Sequence, residues 1–310
     1  MRKKKIYGIK QISTCFYIVT LVVSILQCTP SSDKKNLSQN GKSENTTNSN
    51  SEIATFTRAI SYNIISVNDT INWLKSLPDG DTLQALLVVN RIDKTHLLRL
   101  DSIVFPDTIE KSINLYSPFP KKVDGLANIN KILFISYYAQ AFAVYEKGLL
   151  IRWGPANLGK KSTPTPTGLL STNWKAKNTI STINPTWVMD WYFNLENFHG
   201  ASMHEYALPG YPASHACVRL FKEDAKWMYY WADQWILDKG KISVYGTPVI
   251  IFDSYPLDGR KPWLQLPANK TAMEITPTKL MFFAQEYLPT VILRQNARDS
   301  IQNLVVSSEL

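Results

Sequence analysis

Between about Asn128 and Phe252 the chain is written in short β-branched and aromatic runs broken by turn signals. Only a sheet-rich fold can bury such a stretch. Ile132-Leu133-Phe134-Ile135-Ser136 and Ala141-Phe142-Ala143-Val144-Tyr145 read as strands, and Lys147-Gly148 as a turn into Leu149-Leu150-Ile151-Arg152. From Lys160 to Pro166, two prolines set two residues apart predict an extended, stiff passage over a sheet edge rather than a helix. The aromatic patch Trp187, Met189, Trp191, Tyr192 and Phe193 is expected in the core. Ala225, Met228, Trp231, Ala232 and Trp235 fall at helical spacing behind the acidic start Glu223-Asp224. They predict one helix ending near Lys239-Gly240, before a closing buried strand, Gly246 to Phe252. The fold class is therefore mainly β with helices (α+β).

The flanks divide the rest. Lys3 to Lys5 followed by the apolar run Cys15 to Leu26 form an export signal over residues 1–28, too short to span a bilayer comfortably. It ends on Ser24-Ile25-Leu26-Gln27-Cys28, which resembles a bacterial lipoprotein cleavage site, with Gln27 where a small residue is usual. That resemblance implies lipid on Cys28; secretion without lipid and an uncleaved anchor are the alternatives. Residues 29–52, rich in Ser, Asn, Lys and Thr, read as a solvated linker. Residues 53–128 read as a small αβ module, 129–253 as the main domain and 254–310 as a C-terminal extension that braces it. Hydrophobic residues at 45% against charged residues at 19% place the chain among globular proteins. The formal charge is +9, but five of the cations lie in the export signal, leaving +4. With no basic run interleaved with aromatics, nucleic acid is excluded as a partner.

The chemistry concentrates between Met203 and Leu220, which holds two of the four histidines and Cys217, the only cysteine outside the first 28 residues. A lone thiol in an oxidising compartment is a liability unless it is deeply buried or works. His204, His215 and Arg219 lie close in sequence around a stiff Pro209-Gly210-Tyr211-Pro212 turn, and that favours work: a sulfur nucleophile needs a base and a positive environment. With no second cysteine in reach, a His-His-Cys zinc site is the weaker reading, and no metal or cofactor is predicted. His96, alone among leucines, reads as structural.

His204, then Leu208-Pro209-Gly210-Tyr211-Pro212-Ala213, then Ser214-His215-Ala216-Cys217-Val218-Arg219 resembles the signature of the YkuD-type L,D-transpeptidase catalytic domain. Thr165-Pro166-Thr167-Gly168-Leu169 and Gly246-Thr247-Pro248-Val249 match two further elements of that family in the same order. The resemblance implies a YkuD-like β-sandwich and peptidoglycan stem peptides as partner. It implies Cys217 as nucleophile and His204 as base, Ser214, His215, Ala216 and Arg219 in supporting or substrate-binding roles, and the backbone amides near His215 to Cys217, just before a helix start, as candidates for the oxyanion site. A protonated histidine beside Cys217 would hold it as thiolate. His199 is the alternative base, preferred by longer-loop members of the family. Ala216 departs from the usual glycine, where a positive φ would strain it. Gly80-Asp81-Thr82-Leu83 with Leu97 to Ile103 is similar, more loosely, to a LysM repeat, which would imply glycan binding. The expected location is the periplasmic face of the envelope, on a lipid anchor. The resemblance implies a thioester on Cys217 that an amine resolves; its hydrolysis by water instead, making a carboxypeptidase, stays open. So does a lipid-anchored wall-binding protein without catalysis, which differs in that Cys217 would resist acylation by a carbapenem-like reagent.

Overall fold

The computed structural model describes residues 60–308, apart from positions 68, 78, 79, 182, 199, 257 and 258. The segments read as an export signal and a linker, with Cys28 and His199, thus fall outside the described residues. Those described lie in one compact unit.

In chain order the strands and helices are β1 (Tyr62–Ser66), α1 (Thr70–Lys75), α2 (Gly80–Asn90), α3 (Lys94–Leu97) and β2 (Ser102–Pro106), then β3 (Ile132–Ser136), β4 (Ala141–Glu146), β5 (Leu149–Asn157), β6 (Gly168–Ser171), β7 (Lys175–Ile180) and β8 (Val188–Asn194). They continue with β9 (Ser202–Glu205), β10 (Val218–Leu220), α4 (Lys222–Trp231), β11 (Ile236–Asp238), β12 (Lys241–Val244), β13 (Pro248–Phe252), α5 (Pro277–Ala284) and α6 (Leu288–Ser308). Nine strands form one sheet in the order β6-β13-β3-β4-β5-β10-β9-β8-β7. Its pairs are antiparallel except β13 with β3 and β10 with β9.

Both faces of the central strands are buried, which is why they read as unbroken apolar runs rather than alternating ones. Leu133, Ile135, Phe142, Val144, Val249 and Ile251 point into one core. They share it with Phe193, Met203, Val218 and Leu220 from the far half of the sheet and with Ala225 and Met228 of α4. Because strands from both halves meet there, the sheet curls over itself as in the sandwich expected of this fold. Ile132, Phe134, Ala143, Tyr145, Ile250 and Phe252 point to the opposite face. There they meet Ala85, Val88 and Val89 of α2, Val104 of β2, Leu280 and Ala284 of α5, and Val291 of α6. The segments before and after the main domain therefore share one core with it.

The helix read from Ala225 to Trp235 stops at Trp231. Lys239 and Gly240 instead turn a hairpin between β11 and β12, with φ of 48° and 78°. Two successive positive φ values are what a two-residue hairpin turn requires, and the helical spacing of Ala232 and Trp235 masked it. The two-proline passage after Lys160 leads into β6, at one edge of the sheet.

Candidate active site

β9 and β10 run parallel with Arg219 opposite His204 and Val218 opposite Met203. Cys217 directly precedes β10. Side chains alternate along a strand, so Cys217 and Arg219 face the same way as Ser202 and His204. The pairing of two strands separated by the proline turn thus brings His204 and Cys217 to the same face. One pocket is lined by His204, Ser214, His215, Cys217 and Arg219, and by Ser181, Ile183, Trp187 and Met189 from β8 and the loop before it. The Trp187 ring lies 5.1 Å from that of His215.

His204 is 4% exposed, and its Nδ1 sits 2.8 Å from the Glu205 carbonyl oxygen. A carbonyl only accepts, so Nδ1 carries the hydrogen and Nε2 is left to take a proton. Burial, with the Arg219 charge beside it, pushes the imidazole down to about 4 against the pull of the Glu205 carbonyl. Burial also pushes the Cys217 thiol up, opposed by Ser202 and Arg219. Both shifts favour the uncharged forms. Both directions run against the expected thiolate held by a protonated histidine.

The Ser214 loop is gripped from the two-proline passage. The Ser214 carbonyl accepts from the Lys160 amide at 3.0 Å and from Thr163 Oγ1 at 3.1 Å, and the Ala216 amide donates to the Thr163 carbonyl at 3.1 Å. The Ser214 hydroxyl, fully buried, donates to the Cys217 carbonyl. A side chain at Gly159 would put its Cβ 2.2 Å from the Thr163 carbonyl oxygen, so glycine is required for this close approach. Two features bear on the backbone amides expected to form an oxyanion site. Strand β10 separates Cys217 from α4, so no helix start follows the cysteine directly. The Ala216 amide is already committed to Thr163, which leaves donation to its neighbours.

Ala216 has φ of 70°, in the left-handed region that costs an L-residue about 1–2 kcal/mol. Ala216→Gly should therefore stabilise the protein by about 0.5–1 kcal/mol, since relief of strain exceeds the added freedom of the unfolded chain. Urea denaturation of the two proteins measures this; an equal or lower midpoint for the glycine variant would show the conformation to be unstrained.

Arg219 makes none of the ion pairs found among the described residues. It packs 4.6 Å over the Tyr206 ring and donates to the Ala213 carbonyl at 3.4 Å. The αβ module also reaches the site's loop: Asp93 accepts from the Leu208 amide at 2.7 Å and pairs with His96 at 2.8 Å, and its own amide donates to the Leu208 carbonyl at 2.9 Å. His96 thereby braces Asp93.

Sequence reasoning missed Ser202 and Trp187. Ser202 Oγ lies 3.2 Å from Cys217 Sγ; its signal was its position two residues before His204 on the same strand face. Met189 is buried as expected and Trp187 is half-buried, and both line the pocket.

A search of the curated proteins found no match to the chain. Among solved structures, the L,D-transpeptidase of Stackebrandtia nassauensis is 22% identical, covering 41% of this chain and 58% of its own, with a TM-score of 0.34. An L,D-transpeptidase from Mycobacterium smegmatis is 20% identical over 40% of this chain and 59% of its own, TM-score 0.33. One from Mycobacterium tuberculosis H37Rv is 23% identical over 40% and 58%, TM-score 0.32. The chain thus spans under two thirds of the length of these structures. Residues 130–251, which hold His204, Cys217 and Arg219, match the YkuD family, the L,D-transpeptidase catalytic domain.

Proposed function

We propose that this protein is a cysteine-dependent peptidoglycan L,D-transpeptidase. The observation that carries the reading is the single pocket shared by Cys217, His204 and Arg219, inside the segment that matches that catalytic domain. In this reading a stem tetrapeptide enters with its terminal carboxylate towards Arg219. His204 Nε2 takes the Cys217 proton as the sulfur attacks the carbonyl of the third residue. The same nitrogen then protonates the amine of the departing D-alanine. The thioester left on Cys217 is resolved by an amine on a neighbouring stem, which regenerates the thiol.

The apolar wall of Ile183, Trp187 and Met189 favours an amine over water as acceptor, because a dry pocket suppresses hydrolysis of the acyl-enzyme. Export on a lipid anchor at Cys28, facing the periplasm, belongs to the same proposal.

The test incubates the protein with tetrapeptide muropeptides, with and without an amine acceptor, and reads product masses. The expected result is cross-linked dimer and released D-alanine. Trimmed tripeptide alone would replace transfer by carboxypeptidase chemistry. No product, together with a Cys217 that a carbapenem fails to acylate, would leave a non-catalytic wall-binding protein.

A further inference from the structure

Behind the nucleophile, on the side away from solvent, a set of polar side chains is packed where the fold could have used apolar ones. Ser202 is fully buried on β9, with its hydroxyl 3.2 Å from Cys217 Sγ. The sulfur also lies 3.7 Å from the Gly200 carbonyl oxygen. That carbonyl can only accept, so the thiol hydrogen points to Gly200 and the sulfur lone pairs are left to receive the Ser202 hydrogen.

The next layer has the same polarity. Tyr192 of β8 interacts with both Ser202 and Asn194. The Asn194 amide nitrogen is 3.3 Å from the Tyr192 hydroxyl, and the Asn173 amide nitrogen is 2.9 Å from Asn194 Oδ1. An amide nitrogen can only donate, so Asn173 donates to Asn194 and Asn194 to Tyr192. The Tyr192 hydrogen is then free to turn towards Ser202, and the Ser202 hydrogen towards sulfur. Each bond in such a chain polarises the next. None of these four side chains contacts the pocket through which substrate enters.

We propose that Ser202 is a positioning residue for the nucleophile: its hydroxyl, oriented by Tyr192 and Asn194, donates to the Cys217 sulfur and stabilises it as the proton leaves for His204. This rests on the proposed thiol chemistry. The arrangement divides labour around one atom. His204 removes the proton from the pocket wall, and Ser202, fully buried, compensates the negative charge from outside the pocket. Charge-assisted hydrogen bonds of this kind are stronger than neutral ones, so the contact strengthens as charge develops on sulfur. The other titratable or charged groups around the sulfur are His204 on β9, Tyr206 just beyond it, Arg219 on β10, His215 in the loop and Tyr192 on β8. Only Tyr192 shares the buried side with Ser202.

The test follows alkylation of Cys217 by iodoacetamide against pH in the full chain, read by mass spectrometry of the peptide that contains Cys217, so that Cys15 and Cys28 do not contribute. Ser202→Ala should move the pH midpoint of alkylation upward by about one unit, a roughly tenfold loss of reactive thiolate near neutrality. Tyr192→Phe should move it the same way by less, and Ser202→Thr, which keeps a hydroxyl, should return most of the loss. Thermal melting of each variant separates these shifts from unfolding. A midpoint that stays put in both Ser202→Ala and Tyr192→Phe overturns the proposal while leaving the enzyme reading intact. A wild-type Cys217 that no pH makes reactive overturns the nucleophile itself.

Discussion

His204→Ala should lower transpeptidation by roughly 10²–10⁴-fold, the usual worth of a positioned general base, and Cys217→Ala should reduce it to background. The two variants differ in what remains. Without His204, the thiol keeps its place beside Ser202 and Arg219 and can still be acylated slowly by a carbapenem at high pH, where it ionises unaided. Without Cys217, no acylation occurs at any pH. The resting state sharpens this. Since burial disfavours both the thiolate and the imidazolium, we expect no preformed ion pair in the wild type and a proton transfer that accompanies attack. A solvent isotope effect on acylation should therefore appear in the wild type and vanish in His204→Ala. His199→Ala should retain most activity. If His199→Ala is inactive while His204→Ala works, the base has been assigned to the wrong histidine.

The sequence was most legible where one physical demand acted on consecutive residues. The runs at Ile132 and Ala141 had to be strands because both faces of β3 and β4 are buried. The order of His204, Ser214, His215 and Cys217 carried a chemical requirement that packing alone does not impose. What stayed hidden depended on pairing between distant segments. Ser202 gains meaning only once the register sets His204 against Arg219 and so brings Ser202 to the sulfur. Trp187 has the composition of a core residue, and only the approach of the His215 loop turns it into a pocket wall. Asp93 gave no signal either, because its partner, the Leu208 backbone, lies 115 residues away. The hairpin at Lys239-Gly240 was lost for a local reason: the apolar spacing of α4 ran on past its true end.

The cost of keeping an imidazole dry should appear as acid instability. The His204 value falls from an ordinary 6.5 to about 4. Between those limits the unfolded chain binds a proton that the native protein does not, so stability rises with pH there and is lost as pH drops from about 6.5 towards 4. The full difference is about 3 kcal/mol, fully present as stability above pH 6.5. Asp253 opposes it: burial raises its carboxyl to about 6, so native Asp253 holds a proton longer than the unfolded chain, and acid favours folding through that group. The two slopes overlap, and a wild-type pH profile alone would understate the contribution of His204. The comparison with His204→Asn isolates it, because the asparagine amide can still donate to the Glu205 carbonyl but cannot titrate. Urea denaturation at pH 7 and at pH 4.5 should show the wild type losing about 2–3 kcal/mol more than the variant. Equal losses in the two proteins would mean that the imidazole is charged in the native state. The neutral resting pair, and the isotope effect argued from it, would then give way to a preformed thiolate–imidazolium pair.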